Sequence, residues 1–253
     1  SLLDAASASF ARPAAAASAA ARPRAHVWTA QESVSAVFAL AIFAAAAASA
    51  WIASGAVVPW DSKNHFYPMF RFLGASLANG ELPLWNPYHF GGHPAIADPQ
   101  SLIFTPTLLA FAWLAPNASM QTFDLVILGH LFMGGLGMVG LAWRRGWRPA
   151  AAVLSAIIFM LGGSAAARLQ HTGIIISYSW FPLAFWALEA AMDRPSWRAG
   201  ALFGMTAGLM ALGRDQVAFL FCAMFLSLVV WNAVRSGAPL VWLRKRLPTL
   251  LSA

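Results

Sequence analysis

The chain has 253 residues, 60% of them apolar and only 10% charged, with a mean hydropathy of +0.64. A water-soluble domain carries about a quarter charged residues, so this composition excludes an ordinary soluble globule and points to lipid as the solvent. The net charge of +7 does not point to nucleic acid, because the basic residues sit in short clusters between apolar runs, the pattern of membrane proteins.

Residues 1–30 are rich in Ala, Ser, Pro and Arg and carry no hydrophobic period, so a disordered cytoplasmic tail is expected. Residues 31–253 are expected to form one all-α domain, a polytopic bundle of transmembrane helices with a long outer loop. The first span is expected at residues 33–58. The outer loop follows at residues 59–119, and it gathers much of the chain's polarity: Asp61, Lys63, His65, Arg71, Glu81, His89, His93 and Asp98. Its prolines and glycines favour turns over long helices. Residues 64–78 nevertheless space Phe66, Met69, Phe70, Leu73 and Leu77 as one face of a short helix, expected to lie flat on the membrane. Residues 101–115 are apolar, short and interrupted by Pro106, and read as re-entrant or interfacial.

Further spans are expected at residues 120–143, 150–166, 173–192, 197–212 and 216–234. This order puts twelve of the sixteen Lys and Arg residues on one side, among them Arg144, Arg145, Arg148, Arg194, Arg198, Arg235, Arg244, Lys245 and Arg246. Lys63, Arg71, Arg168 and Arg214 fall on the other. The asymmetry predicts a cytoplasmic amino terminus and an outer loop facing out. Gly200, Gly204 and Gly208 form a stripe that a neighbouring helix can approach closely. Cys222 lies within an apolar run, cannot form an internal disulfide, and reads as a packing residue. A start at Ser1 and a new apolar segment near Pro248 suggest a fragment of a longer chain.

The topology places Asp61, His65, His89, His93, Asp98 and Gln100 on the same side as two short turns, Arg168 to His171 and Arg214 to Gln216. Arg168 and Arg214 suit a phosphate or diphosphate, and the His and Asp groups suit proton transfer from a hydroxyl. Each also has a plainer reading. Asp61 follows a helix end and can cap the next helix, and the arginines can snorkel to lipid headgroups. His89 and His93 have HxxxH spacing, but Gly91, Gly92 and Pro94 argue against the helix a metal pair would need. No metal ligand is assigned, and the sequence does not indicate whether a divalent metal is used.

The run Leu82-Pro83-Leu84-Trp85-Asn86-Pro87-Tyr88 and then Gly91-Gly92-His93-Pro94, downstream of Asp61, resembles the YfhO-like bacterial membrane proteins of the GT-C class of glycosyltransferases. Gln170-His171, Trp180-Phe181-Pro182-Leu183 and Gly213-Arg214-Asp215-Gln216 resemble later parts of that pattern. The resemblance implies an enzyme of the bacterial inner membrane. It would move a sugar from a polyprenyl-phosphate donor to a cell-envelope acceptor, with Asp61 as base or acceptor-positioning residue. His65, Trp85, Asn86, His89, His93, Asp98, Gln100, Arg168, His171, Arg214, Asp215 and Gln216 would then contact substrate. A flippase of lipid-linked saccharide and a non-catalytic envelope assembly protein are the alternatives.

Overall fold

The computed structural model describes residues 25–253. Most of the expected tail lies outside the described residues, which are helical apart from loops and one isolated bridge between Asn86 and His93. The helices in chain order are α1 (Ala30–Ser54), a π-turn (Ser62–Phe66), α2 (Tyr67–Ala78), α3 (Pro106–Leu114), α4 (Met120–Arg144), α5 (Pro149–Leu161) and α6 (Gly163–Ala166). They continue with α7 (Thr172–Asp193), α8 (Trp197–Ala211), α9 (Gln216–Arg235), α10 (Pro239–Lys245) and α11 (Leu247–Leu251). Five segments are long and apolar enough to cross a membrane: α1, α4, α5 continuing into α6, α7 and α9.

Local chemistry sets the helix ends. Thr29 caps α1, its hydroxyl accepting from the Glu32 backbone while Glu32 reaches back to the Thr29 backbone. Gly55 then ends the helix in the left-handed region, so α1 starts and stops three to four residues before the expected span. The expected span at residues 197–212 is a helix of 15 residues, which is short for a crossing. The tail also ends sooner than expected. The His26 amide donates to the Gly146 carbonyl at 2.9 Å and the Trp28 indole to the Trp147 carbonyl at 2.6 Å, fixing the entry to α1 against the α4–α5 turn.

Helix α4 is central and packs on α1, α5 and α7. It meets α7 closely because two of its glycines face that helix. A Cβ on Gly134 would lie 2.9 Å from the Ser179 carbonyl oxygen, and one on Gly137 would lie 2.9 Å from the Pro182 side chain. Of the expected glycine stripe on α8, Gly200 is covered by α11 and Gly204 by Ala253 just beyond it, whereas Gly208 faces no neighbour.

The loop carries a core of its own. Helix α2 was expected flat on lipid, but Phe66, Phe70 and Leu73 are buried against Leu108 and Ala112 of α3, Phe123 and Ile127 of α4, and Ile175 and Ile176 of α7. The Phe70 ring stacks 4.7 Å from Phe111 and packs 5.3 Å from Phe123. Helix α3 has nine residues, too few to cross, and packs on α2. The loop is thus bolted to the bundle.

Two ends of the bundle can be told apart by contact. At one, α4 and α7 finish together, Arg144 pairing with Asp193 and Arg145 with Glu189, each at 2.6 Å. At the other, the loop meets the starts of α4, α7 and α9.

Candidate functional site

Asp61 stands at the head of the π-turn. Its side chain makes no capping hydrogen bond, so the plainer reading of this residue does not describe it. Its carboxylate is 60% exposed, and Oδ2 lies 3.3 Å from Nδ1 of His171, which is 25% exposed at the start of α7. Beneath the π-turn, Oδ2 of Asp124 accepts from the Val58 amide at 2.7 Å and Oδ1 accepts from the Ser62 hydroxyl at 3.2 Å. Asp124 is 1% exposed. Asp124, near the start of α4, is thus the buried anchor of the segment carrying Asp61. The signal for it was a carboxyl inside an apolar span, which is costly without partners.

A cavity of about 350 Å³ opens beside Asp61. Gln100, Arg168, His171, Arg214, Asp215 and Gln216 line it with Asp61, so seven of the residues singled out in the sequence converge there. They come from four places in the chain: the π-turn, the long loop, the α6–α7 turn and the α8–α9 turn. Arg168 is exposed, whereas Arg214 is anchored. Arg214 Nη1 donates to the Asp98 carbonyl at 3.3 Å, and the guanidinium sits 5.7 Å from the centre of the Phe104 ring.

Asp215 is bound up within the protein. Oδ1 accepts from the Val217 and Ala218 amides at 2.7 and 2.9 Å, capping α9, and Oδ2 accepts from the Ser177 hydroxyl at 2.6 Å. Ser177 was not foreseen; an isolated hydroxyl in an apolar span gives no hint of its partner. Gly213 permits this contact, since a Cβ there would meet the Ser177 hydroxyl and lie 2.8 Å from the Asp215 carboxylate.

The other candidates gather elsewhere. His65, Asn86 and His89 line a second cavity of about 400 Å³ with Asn64, Arg71 and Tyr88. The His65 and His89 rings are 5.9 Å apart, and those of His89 and His93 are 5.7 Å apart. His93 Nε2 lies 3.6 Å from Asp98 Oδ2. Asn86 builds the loop: it exchanges two backbone hydrogen bonds with His93, and its side-chain oxygen accepts from the Tyr88 amide at 2.9 Å. Trp85 lies over Gly92, whose φ of 105° and bare α-carbon leave room for the indole at 3.0 Å from an added Cβ. Trp85 and Asn86 thus close the Gly-Gly turn onto the preceding strand-like segment. Among the described residues no group of three or more His, Cys, Asp or Glu side chains is arranged to hold a metal ion.

Burial pushes His65 below the ordinary histidine range, with the Asp98 charge opposing and His89 reinforcing the shift. A histidine held neutral in the fold stabilises it above its unfolded pKa, about 6.5, and that contribution is lost as pH falls through the lowered folded value. Replacing His65 by Gln is therefore expected to flatten the fall in thermal stability below about pH 6.5, measured on both proteins in the same detergent. Parallel stability–pH curves would rule this out.

His130, which has no evident partner in the sequence, is held on both sides. Nδ1 lies 2.9 Å from the Val126 carbonyl and Nε2 lies 2.8 Å from the Thr107 hydroxyl, so the imidazole ties α3 to α4. No protein-family model matches the chain, and neither a curated protein nor a solved structure is significantly similar to it.

Proposed function

We propose that the protein is an integral membrane glycosyltransferase of the GT-C type. On this reading it takes a sugar from a polyprenyl-phosphate donor and passes it to a cell-envelope acceptor on the outer face of a bacterial inner membrane. The observation that carries the reading is the placement of Asp61. An exposed carboxylate, free of capping duty and next to His171, shares one cavity with two guanidinium groups.

The chemistry follows from that arrangement. The acceptor hydroxyl attacks the anomeric carbon, and Asp61 takes its proton as the new carbon–oxygen bond forms. The bond from the anomeric carbon to the phosphate oxygen breaks, and the leaving phosphate carries away the electron pair. Arg168 and Arg214 stabilise that negative charge as it develops. His171 orients the Asp61 carboxylate. The membrane lipid is both solvent and source of the donor's anchor.

The flippase reading is less well supported. A transporter is expected to hold its polar site on broken helices at mid-depth. Here the mid-span histidine is tied to Thr107 and Val126, and the ionisable groups sit at the two ends of the bundle.

The test is a transfer assay in membranes with a panel of labelled polyprenyl-phosphate sugars. Arg168→Gln and Arg214→Gln are each expected to raise the donor KM roughly tenfold or more, the worth of a hydrogen bond to a charged group. Unchanged KM in both variants would remove the arginines from the donor site. No transfer from any donor in the panel would sink the enzyme reading itself.

A further inference from the structure

We infer that the opposite end of the bundle holds a binding site for the headgroup of an anionic phospholipid. A groove of about 850 Å³ runs there between the α4–α5 turn, the end of α7 and the start of α8. Its walls include Arg144, Arg194, Arg198, His26, Trp28 and Trp143. The groove is built. The segment carrying His26 and Trp28 forms one side of it and is fixed to Gly146 and Trp147 by the two hydrogen bonds described above.

The arginines are not equivalent. Arg144 is neutralised by Asp193 at 2.6 Å. Among the described residues Arg194 and Arg198 meet no carboxylate, and the Arg198 guanidinium lies 5.4 Å from the centre of the Trp197 ring. Two planar, permanently charged donors beside one groove match the oxygens of a phosphodiester. The tryptophans supply what a free phosphate would not need. Indoles favour the headgroup level of a bilayer; Trp28 and Trp143 line the groove, and Trp197 lies against Arg198, near where α4 and α7 end. Basic pockets between membrane helices are a recurrent form of anionic-lipid site. The inference rests on the helices crossing a bilayer and is independent of sugar transfer.

Native mass spectrometry of the purified protein, with phosphatidylglycerol or phosphatidylcholine added in equal amounts, tests it. The wild type is expected to retain phosphatidylglycerol in preference to phosphatidylcholine. Arg194→Gln and Arg198→Gln are each expected to weaken that retention roughly fivefold. Arg148→Gln removes the same charge from outside the groove and is expected to leave retention unchanged. Equal retention of the two lipids would overturn the site. An equal loss in Arg148→Gln would reduce it to a diffuse surface charge. Competition by millimolar inorganic phosphate would show a free-anion site in place of a lipid one. Circular dichroism of each variant separates lost binding from lost fold.

Discussion

Replacing Asp61 by Asn is expected to abolish most sugar transfer while leaving the protein folded. Asparagine keeps the size of the side chain and much of its hydrogen bonding, but it cannot take the acceptor's proton. A positioned general base contributes roughly 10²–10⁴-fold to the rate, and the fall in kcat should lie in that range. Stability should not move. The Asp61 side chain caps no helix and is largely exposed, and substitutions at such positions change stability by about 0.5 kcal/mol or less. The measurement is transfer from a labelled polyprenyl-phosphate sugar in membranes holding equal amounts of each protein. Equal rates would show that Asp61 is not the base. Loss of transfer together with loss of folded protein would show that Asp61 is a structural residue after all.

The second large effect is expected one layer deeper. Asp124→Ala removes both acceptors from beneath the π-turn, leaving the Val58 amide and Ser62 hydroxyl buried without a partner. Each such group costs about 1–3 kcal/mol, so a destabilisation of roughly 2–6 kcal/mol is expected. Asp124→Asn keeps one carbonyl oxygen and should lose less. Because Ser62 adjoins Asp61, transfer should fall in both variants even at temperatures where they remain folded. Denaturation in detergent, with Ser62→Ala as the partner in a double-mutant cycle, checks the first part of this. Additive losses from Asp124→Ala and Ser62→Ala would mean that the two residues are not coupled.

The helical architecture was legible because composition and the spacing of charge clusters report directly on apolar spans. The gathering of Asp61, Gln100, Arg168, His171, Arg214, Asp215 and Gln216 beside one cavity was legible for a related reason. Once the order of spans is set, alternate turns have to meet at the same end. What resisted reading were pairings across the chain. Nothing near Asp124 in sequence names Val58, and nothing near Ser177 names Asp215. The Trp-Asn-Pro-Tyr run reads as a binding motif because it is distinctive, yet Asn86 bonds to His93 and Trp85 covers Gly92, so much of that distinctiveness is used in shaping the loop. The amphipathic face of α2 pointed to a membrane surface because periodicity reports that a face is apolar, not what covers it; here the cover is α3, α4 and α7.

The shortness of α8 has a consequence for the lipid around it. Fifteen residues reach about 22 Å, against a hydrocarbon layer of roughly 30 Å. The turn that carries Gly213 and Arg214 follows, and the Ser177–Asp215 contact sets that turn beside the second turn of α7. On a topology in which α8 spans the bilayer, the membrane would have to thin at this point or let headgroups and water sink toward the turn. Under the proposed function, a phosphate carried on a polyprenyl chain would then meet Arg214 without leaving its own leaflet.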